Sequence, residues 1–191
     1  MDTDFLTRWA AARLAERLDD VTRDFPLALA TGPGFASPKV GRLLTLGREV
    51  AARATALPFR RLGAIVSPLT LNVSFTEARR ALAPGGLYLA ALLGADTRPA
   101  VPGLPEAADI AAALPRAGFA SPVVDVERVR VAYADAGRFA QDLAELGLPP
   151  PPCAGPLEAV FAVVFCSGWA GLRSARSVTL TTGADEAEAI L

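Results

Sequence analysis

Five strand-like runs, at residues 27–30, 63–71, 87–93, 123–133 and 158–166, alternate with stretches of helical period. This alternation restricts the fold more than any other feature of the chain. Parallel strands need a crossover between them and helices usually supply it, so the pattern predicts a mostly parallel sheet covered on both faces. At 191 residues, 52% of them hydrophobic, the chain is long enough for one domain with a sizeable core.

The pieces follow in order. Leu6, Ala10, Leu14, Leu18 and Val21 recur at three- and four-residue steps, which predicts an amphipathic helix over 3–24 with its arginines facing solvent. Phe25-Pro26 ends it, and Leu27–Ala30 forms a short buried strand. Ser37-Pro38 then looks like a helix start. Val40, Leu43, Leu44, Val50 and Ala51 continue at helical spacing, so residues 38–55 are expected to be a helix weakened by Gly41 and Gly47. Residues 63–71 form a strand and its exit, and 75–82 a short helix. Pro84-Gly85-Gly86 is a tight turn before the strand 87–93. A loop over 94–103 leads to a helix at 104–117, with Gly118 as its C-cap. Residues 123–133 are one long strand or two short ones with a wet face carrying Asp125, Glu127, Arg128 and Arg130. A helix over 139–146 stops at Gly147, Pro149–Pro152 is a rigid spacer, and 158–166 is a buried strand that turns out at Ser167-Gly168-Trp169. Residues 178–181 suit an edge strand, and the acidic end 184–191 a frayed tail.

Composition excludes several kinds of chemistry. The chain has no histidine, which removes Ser-His-Asp and Cys-His catalysis, histidine metal sites and a histidine base. Cys153 and Cys166 match no metal spacing and suit a reduced, cytoplasmic setting. The net charge of −1 gives no electrostatic reason to expect nucleic acid or an anionic membrane. The opening MDTDFLTRW lacks the apolar core of a signal peptide, and the longest apolar run, 159–166, is far short of the ~18 residues of a membrane span.

The most suggestive local feature is FPLALATGPGFA, residues 25–36. A strand that runs through Thr31 into Gly32-Pro33-Gly34 is where many α/β proteins hold a nucleotide-like ligand, because glycine lets the backbone approach closely. Thr31, Gly32 and Gly34 are therefore candidate cofactor contacts; Gly32 and Gly34 read equally well as simple turn glycines. Asn72 and Ser74 follow the strand at 63–71 and could face a substrate or cap the next helix. Tyr88 and Trp169 read as core or rim aromatics.

The order of these pieces resembles the class I S-adenosylmethionine-dependent methyltransferases. Within them it is similar to the branch that holds the malonyl-carrier-protein methyl ester synthase of biotin synthesis and a related complex I assembly factor. The resemblance rests on FPLALATGPG, ALPF, AIVSPLTLNVS, RRALAPGGLYLAALLG, LPRAGFASPVVDVERVRVAYAD and FCSGWA, which together cover nearly the whole chain in the family order. It implies a Rossmann-like α/β three-layer sandwich with one antiparallel strand. It also implies a single domain over 1–191, with an N-terminal helix in 1–25 and a tail at 171–191. S-adenosylmethionine is the implied cofactor.

The departures from the family pattern are specific. Ala30 stands where the family carries an acid at the end of its first strand, Pro33 removes one backbone N–H from the loop, and Ala36 replaces the third glycine. The ribose-binding acid would fall at Gly47 if 42–47 is a remnant second strand, with Glu49 two residues on as its stand-in. Glu49 reads more readily as a solvated helix charge. About two dozen residues separate Gly34 from Leu57, too few for two full crossovers and two strands. The expectation is therefore that the chain passes from the first strand through helix 38–55 directly to the strand at 63. The ribose-side edge of the sheet would be deleted, leaving a shortened sheet. The rival reading keeps 42–47 as a strand after an unusually short connection.

Methyl transfer to a carboxylate rests on positioning and desolvation, so the missing histidine does not argue against it. Loss of charged hydrogen bonds does, at roughly 1.5–3 kcal/mol each. A degenerate cofactor site is the expectation. The alternative is a non-catalytic interaction or assembly protein that pairs with a protein partner, or with itself as a homodimer, through an exposed sheet edge.

Overall fold

The computed structural model describes residues 5–32, 34–46, 61–69, 74–149, 154–171, 177–182 and 185–190. Its elements are α1 (Phe5–Asp19), β1 (Phe25–Thr31), β2 (Val40–Leu46), β3 (Leu62–Pro68), α2 (Phe75–Ala81), β4 (Leu82–Leu93), α3 (Ala107–Arg116), β5 (Phe119–Tyr133), α4 (Ala136–Glu145), β6 (Leu157–Ala170), β7 (Ser177–Thr182) and β8 (Asp185–Ile190). Six strands form one sheet in the order β2-β1-β3-β4-β6-β5. Strands β1 to β4 pair in parallel, and β6 runs antiparallel between β4 and β5.

Period-two alternation builds the two outer layers. In β4, Leu87, Leu89, Ala91 and Leu93 point to one face, where Leu14 and Leu18 of α1 and Phe139 and Leu143 of α4 cover them. Tyr88, Ala90 and Leu92 point to the other, under Ala78 of α2 and Ile110 and Leu114 of α3. Every other residue of β6 does the same, Phe161, Val163 and Phe165 facing α1 and Val164 and Cys166 facing α3. The result is the expected three-layer Rossmann-like α/β sandwich with one antiparallel strand.

Residues 40–46 correct the sequence expectation. They are not helical but form β2, in register with β1 from Phe25↔Val40 to Thr31↔Leu46. Apolar residues at 40, 43 and 44 satisfy either period over so short a run, and the free backbone edge of β1 decides between them by accepting a full ladder. Gly41 permits the close pairing, since a Cβ there would stand 3.2 Å from the Pro26 carbonyl oxygen. The ribose-side strand that was expected to be deleted is thus present. The remainder of the expected helix, 47–55, lies outside the described residues.

What the chain omits is a helix between β1 and β2. None of the described residues from Gly32 to Lys39 is helical. Eight residues reach at most ~28 Å, enough to return along a seven-residue strand only when nearly extended. This strap lies beside α1. The Cβ position of Gly34 is 3.2 Å from Arg8 Cγ, Phe35 is buried in the α1 layer, and the Ser37 hydroxyl lies 3.3 Å from Asp19 Oδ1. The N–H of Phe25 donates to the Lys39 carbonyl at 2.7 Å. With α1 already covering this face of the sheet, the short connection needs no helix of its own.

Three smaller corrections follow from pairing. Pro84-Gly85-Gly86 lies inside β4 as an irregularity in its ladder with β3, not as a turn before it. Ser167, Gly168 and Trp169 do not turn out but continue β6, opposite Leu89, Tyr88 and Leu87. Residues 177–182 pair with 185–190 in a separate two-stranded sheet, not at an edge of the main one. Residues 150–152 of the proline spacer lie outside the described residues.

Candidate functional site

The carboxyl ends of β1 and β3 meet where the glycine turn begins. Thr31 and Ser67 are both fully buried there, and Thr31 Oγ1 donates to Ser67 Oγ at 2.8 Å. The hydroxyls at these two strand ends are thus turned on each other. Beyond Thr31, Gly32 has φ +115° and Gly34 φ +85°, a region that side chains resist, so both glycines are required by the bend itself. Leu69, just past β3, is buried with φ +49° and donates its N–H to the Ala91 carbonyl at 2.9 Å. A non-glycine residue in that region is strained, held here by its burial and its bond to β4.

The structure brings Thr31, Gly32 and Gly34 together at this end of the sheet. Ser74 takes the capping role that its position also allowed. It is the N-cap of α2, its hydroxyl accepting from the Glu77 N–H at 3.2 Å. Asn72 and Glu49 lie outside the described residues. Ala30 is buried in register with Thr45 and Val66, so no carboxylate projects from the end of β1. The turn also opens no helix, so it has neither the free N–H groups nor the positive dipole end that a helix start offers an anion. Among the described residues no group of three acidic, cysteine or histidine side chains could hold a metal ion.

The charged residues of β5 are structural. Arg17 of α1 reaches across to Asp125 at 3.0 Å and Glu127 at 2.7 Å, with its guanidinium 3.8 Å from the Phe165 ring centre. Arg128 pairs with Asp96 and Arg130 with Glu158. Tyr88 is buried in the core and Trp169 packs at its margin, as expected of both. Cys166 is buried beside them, and that burial, with Asp125 nearby, pushes its thiol up to about 12. Sequence reasoning missed Ser67 and Leu69. A serine inside an otherwise apolar strand, followed by proline, was the available signal.

No family model matches the sequence, and no curated protein matches it at a significant level. Solved structures do. A provisionally assigned methyltransferase from Bacillus halodurans superposes with a TM-score of 0.53 at 12% identity, covering 84% of this chain and 98% of that one. The YcgJ protein from Bacillus subtilis gives 0.53 at 11% identity, over 83% and 97%. A methyltransferase from Thermotoga maritima dependent on S-adenosylmethionine superposes less closely, at 0.46 and 11% identity over 87% and 92%. No described helix is long and apolar enough to cross a membrane. With its six strands in this order and β6 alone reversed, the chain has the Rossmann-like fold of the Bacillus halodurans neighbour.

Proposed function

We propose that the chain is an S-adenosylmethionine-dependent methyltransferase-family protein whose cofactor site is degenerate, derived from the branch of the carrier-protein methyl ester synthase and the complex I assembly factor. The observation that carries this reading is the strap. The glycine turn feeds an extended segment packed on α1 instead of a helix start, and Ala30 supplies no acid beside it. The polar groups described at this end do not fit a cationic, ribose-bearing cofactor, because the hydroxyls of Thr31 and Ser67 face each other and Ala30 stands where the resemblance implies an acid. Such a protein acts by binding, as an interaction or assembly factor, with a protein partner or a second copy engaging the β2 edge.

Isothermal calorimetry with S-adenosylmethionine and S-adenosylhomocysteine tests this. The expected result is no saturable heat at millimolar ligand, and a micromolar Kd overturns the reading. One observation favours retained cofactor binding. The presence of β2 puts Gly47, where the resemblance implies a ribose-binding acid, directly past its end in sequence, with Glu49 two residues on as its stand-in. On that reading the chain binds the cofactor, and Glu49→Ala abolishes the heat.

A further inference from the structure

The opposite face of the sheet carries a groove that the cofactor question does not involve. It lies between α2 and α3, is open to solvent with a volume of about 450 Å³, and is lined by Phe75, Tyr88, Leu92, Ile110, Asp109 and Arg116 among others. That volume and mainly apolar lining are those of a small-molecule site. Phe75 stands edge-on to Tyr88, ring centres 5.7 Å apart at 83°.

Tyr88 is the informative residue. It is 1% exposed, lines the groove, and its hydroxyl has no hydrogen-bond partner among the described residues. Its oxygen is not one of the fully buried polar atoms left without a partner among the described residues, so it opens onto the groove. Its burial, with Cys166 nearby, keeps it protonated by raising its pKa well above the ordinary value, so it is available as a donor. The charges are placed asymmetrically. Arg79 donates to the carbonyls of Gly118 and Gly171 and ties α2 to the end of α3 where Arg116 lies. Among the described residues nothing bridges the other end, and Asp109, in the first turn of α3, stands there without an ion pair.

We infer that this groove binds a small aromatic amine bearing a ring hydroxyl. The ring lies against Phe75, Leu92 and Ile110, the hydroxyl satisfies Tyr88, and the ammonium remains at the open end beside Asp109. The inference does not rest on the cofactor reading. Of the candidate cofactor and substrate contacts that lie among the described residues, only Ser74 also lines this groove.

Titrating tyramine, phenethylamine and 4-hydroxyphenylpropionate into the full chain, followed by amide chemical shifts, tests it. Tyramine is expected to saturate with a Kd at least tenfold below that of phenethylamine, which lacks the hydroxyl. Tyr88→Phe, which keeps the ring, is expected to erase that difference. Asp109→Asn is expected to erase the preference for tyramine over the anionic probe. No saturable shift up to 10 mM, or tyramine binding indifferent to Tyr88→Phe, overturns the site; a preference for the anionic probe overturns the amine. Because the readout is binding of the amine alone, its outcome is separable from the calorimetry of the cofactor.

Discussion

Arg17 of α1 ties the N-terminal helix to the far edge of the sheet, more than a hundred residues away in sequence, beside Arg13, whose Nε lies 3.3 Å from Glu127. Removing it tests how that layer is held. Its side chain is 25% exposed, against 53% for Asp125 and 31% for Glu127, so both ion pairs are partly screened. Pairs of this kind contribute about 0.5 kcal/mol each. The guanidinium over Phe165 at 3.8 Å adds about 1 kcal/mol, and the aliphatic stem covers apolar surface as well. Burial alone would lower the pKa of Arg17, but hydrogen bonds to Glu127 and Asp125 outweigh it and hold the side chain charged. Arg17→Ala is therefore expected to cost about 2 kcal/mol, which for a chain of this size lowers Tm by about 4–8 °C. Arg17→Met retains the stem and is expected to recover about a third of that loss. Urea and thermal unfolding followed by circular dichroism measure both, and 1 M salt should narrow the gap between wild type and Arg17→Met. If Arg17→Ala unfolds within about 0.5 kcal/mol of wild type, the Arg17 clamp contributes nothing measurable to holding α1.

Two further outcomes follow from backbone approach and burial. A Cβ at Gly86 would lie 3.0 Å from the carbonyl oxygens of both Ala83 and Leu62, so Gly86→Ala is expected to destabilise by about 1–3 kcal/mol in urea unfolding; wild-type stability would show that the irregularity in β4 is not needed there. The Cys166 thiol is raised from 9.0 to about 12, so its contribution to stability is complete below pH 9 and is lost as pH rises toward 12. In a Cys153→Ser background Cys166 should resist thiol reagents at pH 8 until the protein unfolds, and Cys166→Ala should flatten the alkaline fall in Tm. Rapid labelling of the native protein would show that Cys166 is accessible.

The alternation of strand-like and helical runs was enough to place β1, β3, β4, β6 and every helix described, because each of these elements carries its own apolar period and its own stop signal. The N-cap at Ser74 and the glycines at 118 and 147 act within a few residues of chain, so they too were readable. Gly32 and Gly34 were recognisable as a bend for the same reason. Residues 40–46 were not decidable locally. Their apolar positions suit a helix or a strand, and only the open edge of β1, a non-local partner, makes the strand the better use of their backbone groups. The strap from Gly32 to Lys39 depends equally on α1, which covers the sheet face that a crossover helix would otherwise have to fill. The clamp of Arg17 on Asp125 and Glu127, the facing hydroxyls of Thr31 and Ser67, and the groove at Tyr88 all join elements distant in the chain. Sequence alone determined the α/β class and the position of the glycine turn, since both rest on short-range periodicity and backbone preference. Tertiary structure decided what that turn leads into, because strand pairing and layer packing compare segments that no local pattern brings together.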